Sequence, residues 1–126
     1  MDIHKFSEVG DLENVLLCLR DRPSELNSTN NNGHTPLHIA VRFGRVSLVK
    51  LFLSFPNIDV NAKNKFGHTP LHFSTSNENM EPTKLLLQNV NINVHLKDNH
   101  GRTPLALAKE RNNIQAINIL TEFESK

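Results

Sequence analysis

From Val46 to Leu53 the chain sets Val46, Leu48, Val49, Leu51, Phe52 and Leu53 at spacings that give one helix a broad apolar stripe. Leu12, Val15, Leu17, Cys18 and Leu19 stand 34 residues before five of these positions. Met80, Leu85, Leu86 and Leu87 continue the columns downstream, and Ile114, Ile117, Ile119 and Leu120 close the series. Polar residues such as Asp11, Glu13, Asn14, Arg20 and Asp21, or Gln115, Asn118, Thr121 and Glu122, fill the gaps in the first and last copies. An apolar stripe that returns at a fixed period of about 20–50 residues marks stacked helical repeats.

Between the stripes lies a second recurring element: GHTPLHIA at 33–40, GHTPLHFS at 67–74 and GRTPLALA at 101–108, again 34 residues apart. Its residue types predict a turn followed by a helix. Gly33, Gly67 and Gly101 suit a tight turn with positive φ. Thr35, Thr69 and Thr103 suit an N-cap, with Pro36, Pro70 and Pro104 at the first helical position and Leu37, Leu71 and Leu105 pointing inward. The first of these helices is expected to run from Pro36 to about Phe43, ended by a left-handed turn at Gly44. Asn112 stands in the Gly44 column and tolerates such a turn. Glu78 shares that column, so strained backbone is expected there, and the stretch 62–95 that contains it should be the least stable locally. Pro82 falls in the first turn of its helix, where proline is tolerated.

The three copies of the motif resemble the ankyrin repeat, whose signature is a Gly-x-Thr-Pro-Leu-His-x-Ala turn and helix, a second helix and a hairpin. The resemblance implies an all-α solenoid of stacked helix pairs with projecting β-hairpin loops. One domain over residues 1–126 divides into an N-terminal capping repeat (1–27), repeats at 28–61 and 62–95, and a C-terminal capping repeat (96–126). Ile3, His4 and Phe6 stand in for the first helix of the first unit, where the Thr-Pro-Leu-His motif is missing. Phe55-Pro56-Asn57-Ile58-Asp59-Val60-Asn61 is one residue longer than the usual family segment, which accounts for the period of 34.

Composition narrows the function. The 126 residues carry a formal net charge of +1 with acids and bases interspersed, so no basic run tracks a phosphate backbone. No apolar run approaches a membrane span, and MDIHKF lacks the regions of a signal peptide. The single cysteine excludes an internal disulfide and agrees with a reducing compartment. A cytoplasmic location is expected, with the nucleus as the alternative, and neither nucleic acid nor membrane is expected as a partner.

Seven histidines invite a metal or catalytic reading. His38 and His72 share one column, and His34 and His68 another. Equivalent side chains of stacked units lie about 10 Å apart, whereas zinc needs each nitrogen about 2 Å from the ion. The resemblance instead gives His38 and His72 the family's role of binding backbone and tying neighbouring units together. His4, His95 and His100 form no ligand spacing, and Cys18 reads as a small core residue. No phosphate-cradling glycine loop is present. A non-enzymatic module without cofactor or metal is therefore expected.

In the family, the inner helices and hairpins bind proteins. Carried over by column, that surface comprises Asn31, Asn32, His34, Arg42 and Phe43, then Lys65, Phe66, His68, Ser76 and Asn77. Asn99, His100, Arg102, Glu110 and Arg111 complete it. Phe43 and Phe66 belong to no core column and read as interface anchors. The expected partner is another protein, bound by a monomer acting as an adaptor, scaffold or inhibitor. The alternative is a small competitive regulator, a viral or bacterial mimic of host ankyrin proteins. Asp59-Val60-Asn61, with Leu53 upstream, is also similar to hairpins hydroxylated on asparagine, making Asn61 a candidate modification site. Glu25-Leu26-Asn27 matches more loosely.

Overall fold

A computed structural model describes residues 2–126. Eight α-helices stand among them: α1 Ile3–Val9, α2 Leu12–Asp21, α3 Pro36–Arg42, α4 Val46–Leu53, α5 Pro70–Ser74, α6 Glu81–Leu87, α7 Pro104–Glu110 and α8 Ile114–Glu124. A 3₁₀ turn, Pro23–Asn27, follows α2. The helices form four antiparallel pairs, α1/α2, α3/α4, α5/α6 and α7/α8. Along the stack α1, α3, α5 and α7 pack in one row, while α4, α6 and α8 pack in the other.

The inner row starts as its sequence demands. Thr35 Oγ1 accepts from the His38 N–H at 3.3 Å, and the Thr35 N–H donates to His38 Nδ1 at 3.1 Å, a reciprocal capping box. Thr69 and His72 repeat it, and Thr103 caps α7 through the Ala106 N–H. Across α3, α4 and α5 the core holds Leu37, Ala40, Val41, Leu48, Val49, Phe52 and Leu71, each at most 1% exposed. Cys18 packs in this core as a free thiol.

The projecting loops are turns rather than strand ladders among the described residues. Each closes on itself through one backbone bond, Asn30 N–H to His34 O, Asn64 N–H to His68 O, or Asp98 N–H to Arg102 O. Backbone bonds also join successive loops, Lys65 N–H to Asn32 O and Asn99 N–H to Phe66 O. Gly67 meets two demands at once: φ is +77°, and a Cβ there would lie 2.6 Å from Asn99 Oδ1 and 2.8 Å from Asn99 N.

Three expectations need correction. Glu78 is unstrained; Asn112, at φ 55°, is the one non-glycine with positive φ among the described residues. The reason is local. Ser74, Thr75 and Ser76 turn their hydroxyls back to the carbonyls of Leu71, His72 and Phe73, and i→i−3 backbone bonds end α5 after five residues. The chain therefore leaves the helix before it could reach a left-handed cap. Leu12 and Ile114, placed among the inward residues, are 40% and 63% exposed. Each belongs to the first or last pair described, which among the described residues has a neighbour on one side alone.

Candidate functional site

The inner row and the loop tips enclose a cleft of about 430 Å³ lined by Asn32, His34, Arg42, Asn64, Phe66, His68, Phe73, Ser76 and Arg111. Seven of these were expected from their columns. Phe66 is 60% exposed at its rim, and Phe43, 44% exposed, sits on the turn that ends α3. The Arg42 guanidinium lies 5.7 Å from the Phe43 ring centre and 6.0 Å from that of Phe73, so one cation joins the exposed ring to the cleft wall.

The remaining expected residues are dispersed. Asn31, Lys65, Asn99 and His100 are exposed on the loops. Asn77 is half-buried and donates to Val41 O at 2.8 Å, so it fastens α5 to α3. Arg102 is spent on Asp98 at 2.9 Å and Glu110 at 2.7 Å. His34 was expected to face outward but is buried at 8%. Its ring packs edge-on against Phe73, with centroids 5.1 Å apart, because the neighbouring pair supplies an aromatic where its own sequence surroundings are polar.

Two residues of the cleft escaped the column reading. Phe73 shares its column with Ile39 and Leu107, both buried, and so reads as core; α5 instead presents its ring to three histidines. Asn64 belongs to a polar column with Asn30 and Asp98, three residues before each motif glycine, and that spacing was the available signal. Its Oδ1 accepts from the N–H groups of Phe66 and His68 at 2.8 and 3.0 Å. Asp98 does the same for His100 and Arg102, and its Oδ2 meets His68 Nε2 at 3.1 Å.

The histidines beneath the cleft are structural. The Thr35 N–H donates to His38 Nδ1, so the ring proton is on Nε2 and is donated to His68 O at 2.9 Å. His72 does likewise with Thr69 and with Arg102 O at 2.8 Å. With both nitrogens engaged, neither ring has a lone pair for a metal. His4, read as unassigned, makes the equivalent bond to Ser28 O at 3.0 Å. Burial lowers the His38 pKa to about 4, against the pull of the His68 carbonyl. Burial also lowers His34, with Arg42 adding to the effect, and His68, where it outweighs Asp98. Burial works against the charge of Asp98, yet the N–H groups of Arg102 and His100 and the Arg102 guanidinium hold it well below the usual carboxylate range. Neutral rings over an ionised, fully paired Asp98 make a stable floor rather than a reactive centre.

Asn61 spans two loops: its Nδ2 donates to Asn91 O at 2.8 Å and its Oδ1 accepts from the Asn93 N–H at 2.9 Å. Asn27 bridges to Asn57 O and the Asp59 N–H in the same way. No group of three or more His, Cys, Asp or Glu converges as metal ligands would among the described residues. None of their helices is long and apolar enough to cross a membrane.

Comparison with known proteins agrees with this architecture. Residues 44–126 match a family model of ankyrin repeats in three copies, and residues 3–53 match a second, of many copies. A protein of fowlpox virus (strain NVSL) described as an ankyrin repeat protein is 40% identical over 53 residues. That match covers 42% of this chain and 37% of the viral protein, well under two thirds of its length.

Proposed function

This chain belongs to the ankyrin-repeat family, whose repeats are in general non-catalytic protein–protein interaction modules, and on that premise we propose that it binds a protein partner on its inner face. One observation carries the reading. The cleft gathers Arg42, Arg111 and the exposed Phe66 from three successive helix pairs and loops, with Phe43 beside it. Aromatic and arginine side chains dominate interface energetics, and each histidine ring tied to the next turn holds the loops in place.

Replacing Phe43 and Phe66 together with Ala tests it. Both rings are exposed, so the variant keeps its thermal midpoint within a few degrees. Truncating a hot spot costs about 2 kcal/mol or more, roughly 30-fold in affinity. Partners recovered from a lysate by the unmodified chain should be lost by the double variant. Equal recovery would move the interface off this face. A second reading, a small competitive regulator that occupies a partner's surface, draws on the likeness to the fowlpox protein. It uses the same face, and competition between this chain and the partner's other ligands separates the two.

A further inference from the structure

Asn64 lines the cleft, 7% exposed, and its amide orientation is fixed because Oδ1 already accepts two backbone N–H groups. Its Nδ2 is buried and has no hydrogen-bond partner among the described residues. The corresponding atom one turn later is Asp98 Oδ2, which is satisfied by His68 and Arg102. Among the described residues nothing equivalent reaches Asn64, the matching ring of His34 included. A buried amide donor left unpaired is costly.

The surroundings select what would satisfy it. Arg42 and Arg111 line the same cleft, and neither forms an ion pair among the described residues. Arg42 lies against aromatic rings, and Arg111 donates to the neutral Thr75 Oγ1 at 3.0 Å. Among the described residues no Asp or Glu lines the cleft. Two guanidiniums without an ion pair in a concave site attract an anion, Arg111 feeling Arg102 more strongly than the opposing Glu110, and the free amide donor adds a directed bond. Two phenylalanine rings beside them favour an apolar neighbour over a sugar–phosphate chain, which needs a longer basic track.

We propose that this cleft takes the side-chain carboxylate of an Asp or Glu in an extended segment of the partner, hydrogen-bonded to Asn64 Nδ2 between Arg42 and Arg111, with an adjoining apolar side chain against Phe66 and Phe73. The assignment rests on the inner-face reading and names the chemistry it recognises.

Asn64→Asp is the informative substitution. Asp98 shows that this turn accommodates a carboxylate, so the backbone bonds are kept while the donor becomes an anion. Randomised dodecapeptides displayed on phage are selected on the unmodified chain, and the winners are synthesised and titrated against each variant. The expected peptides carry Asp or Glu next to an apolar residue, and both Asn64→Asp and Arg42→Gln weaken them at least about tenfold. The thermal midpoint of Arg42→Gln remains close to that of the parent, whereas Asn64→Asp, which lacks the Arg102 partner of Asp98, melts lower and is titrated at a temperature where circular dichroism shows it folded. Peptides that lose affinity on loss of Phe43 and Phe66, yet lack acids and ignore Asn64→Asp, overturn the carboxylate assignment and leave the inner face standing. Peptides indifferent to every inner-face variant overturn both. A selection without binders, or tighter binding of a single-stranded oligonucleotide than of any selected peptide, overturns the assignment as well.

Discussion

The pairs α3/α4 and α5/α6 begin alike and end differently. Both inner helices start with Thr-Pro-Leu-His, the same capping box and the same histidine tether to the following turn. After α3, Gly44 takes φ 68° and the Arg45 N–H reaches back to Ala40 O, a left-handed exit. After α5, three hydroxyl side chains capture the carbonyls and the chain leaves without positive φ. Neighbours then secure that exit: Asn77 donates to Val41 O, Arg111 to Thr75 Oγ1 and Asn113 to Thr75 O. A stacked array thus tolerates a poor local stop where the adjoining pairs can supply the missing bonds.

The widest test of this contrast is core truncation in each pair. Leu37 and Leu71 share a column and are both fully buried. Either change to Ala should cost about 2–5 kcal/mol, visible as a fall in the urea midpoint. If the short α5 is held chiefly by its neighbours, Leu71→Ala also lowers hydrogen-exchange protection in α3 and α7, whereas a loss confined to α5 would show that the pairs are uncoupled.

Acid should loosen the same tethers. The His38 pKa stands at about 4 in the folded chain against 6.5 for the ordinary group, so the unfolded chain binds more protons between those values. Stability is at its full level above pH 6.5 and falls as pH drops toward 4, by up to roughly 3 kcal/mol from this residue. His34, His68 and His72 are lowered too and act in the same direction. Asp98, also lowered, adds its loss only below the ordinary carboxylate range, as its ion pairs and backbone bonds are protonated away. Denaturant titrations from pH 7.5 down to 4.5 check this, and a flat profile would mean the rings remain solvated.

The smallest effects concern the exits themselves. Asn112 bears the strain of positive φ, so Asn112→Gly should leave stability unchanged or raise it by up to about 1 kcal/mol. Glu78 has no such strain, and Glu78→Gly should cost about 0.5–1 kcal/mol through unfolded-chain entropy. Paired thermal melts with opposite signs would confirm that one column hosts two turn chemistries; a gain at Glu78 would contradict the geometry described here.

The stack, its register and its inner row were legible from residue order alone, because a 34-residue period carrying caps, prolines and apolar stripes is written in local chemistry. The core columns from Leu37 to Leu86, the buried Cys18 and the exposure of Phe43 and Phe66 follow directly from that register. What the periodicity could not express was anything contributed by a neighbouring pair. His34 is buried because Phe73, 39 residues away, covers it. Glu78 is relaxed because the hydroxyls of 74–76 outcompete a glycine-type exit, and Leu12 and Ile114 are open because, among the described residues, their pairs are packed against from one side alone. Asn64 stood in a visible polar column, yet its unpaired amide arises only where His34 and the arginines of two other pairs close around it. Local hydrogen bonds and helix spacing are encoded within a few residues of one another, whereas burial and the satisfaction of a polar atom depend on side chains brought together by stacking.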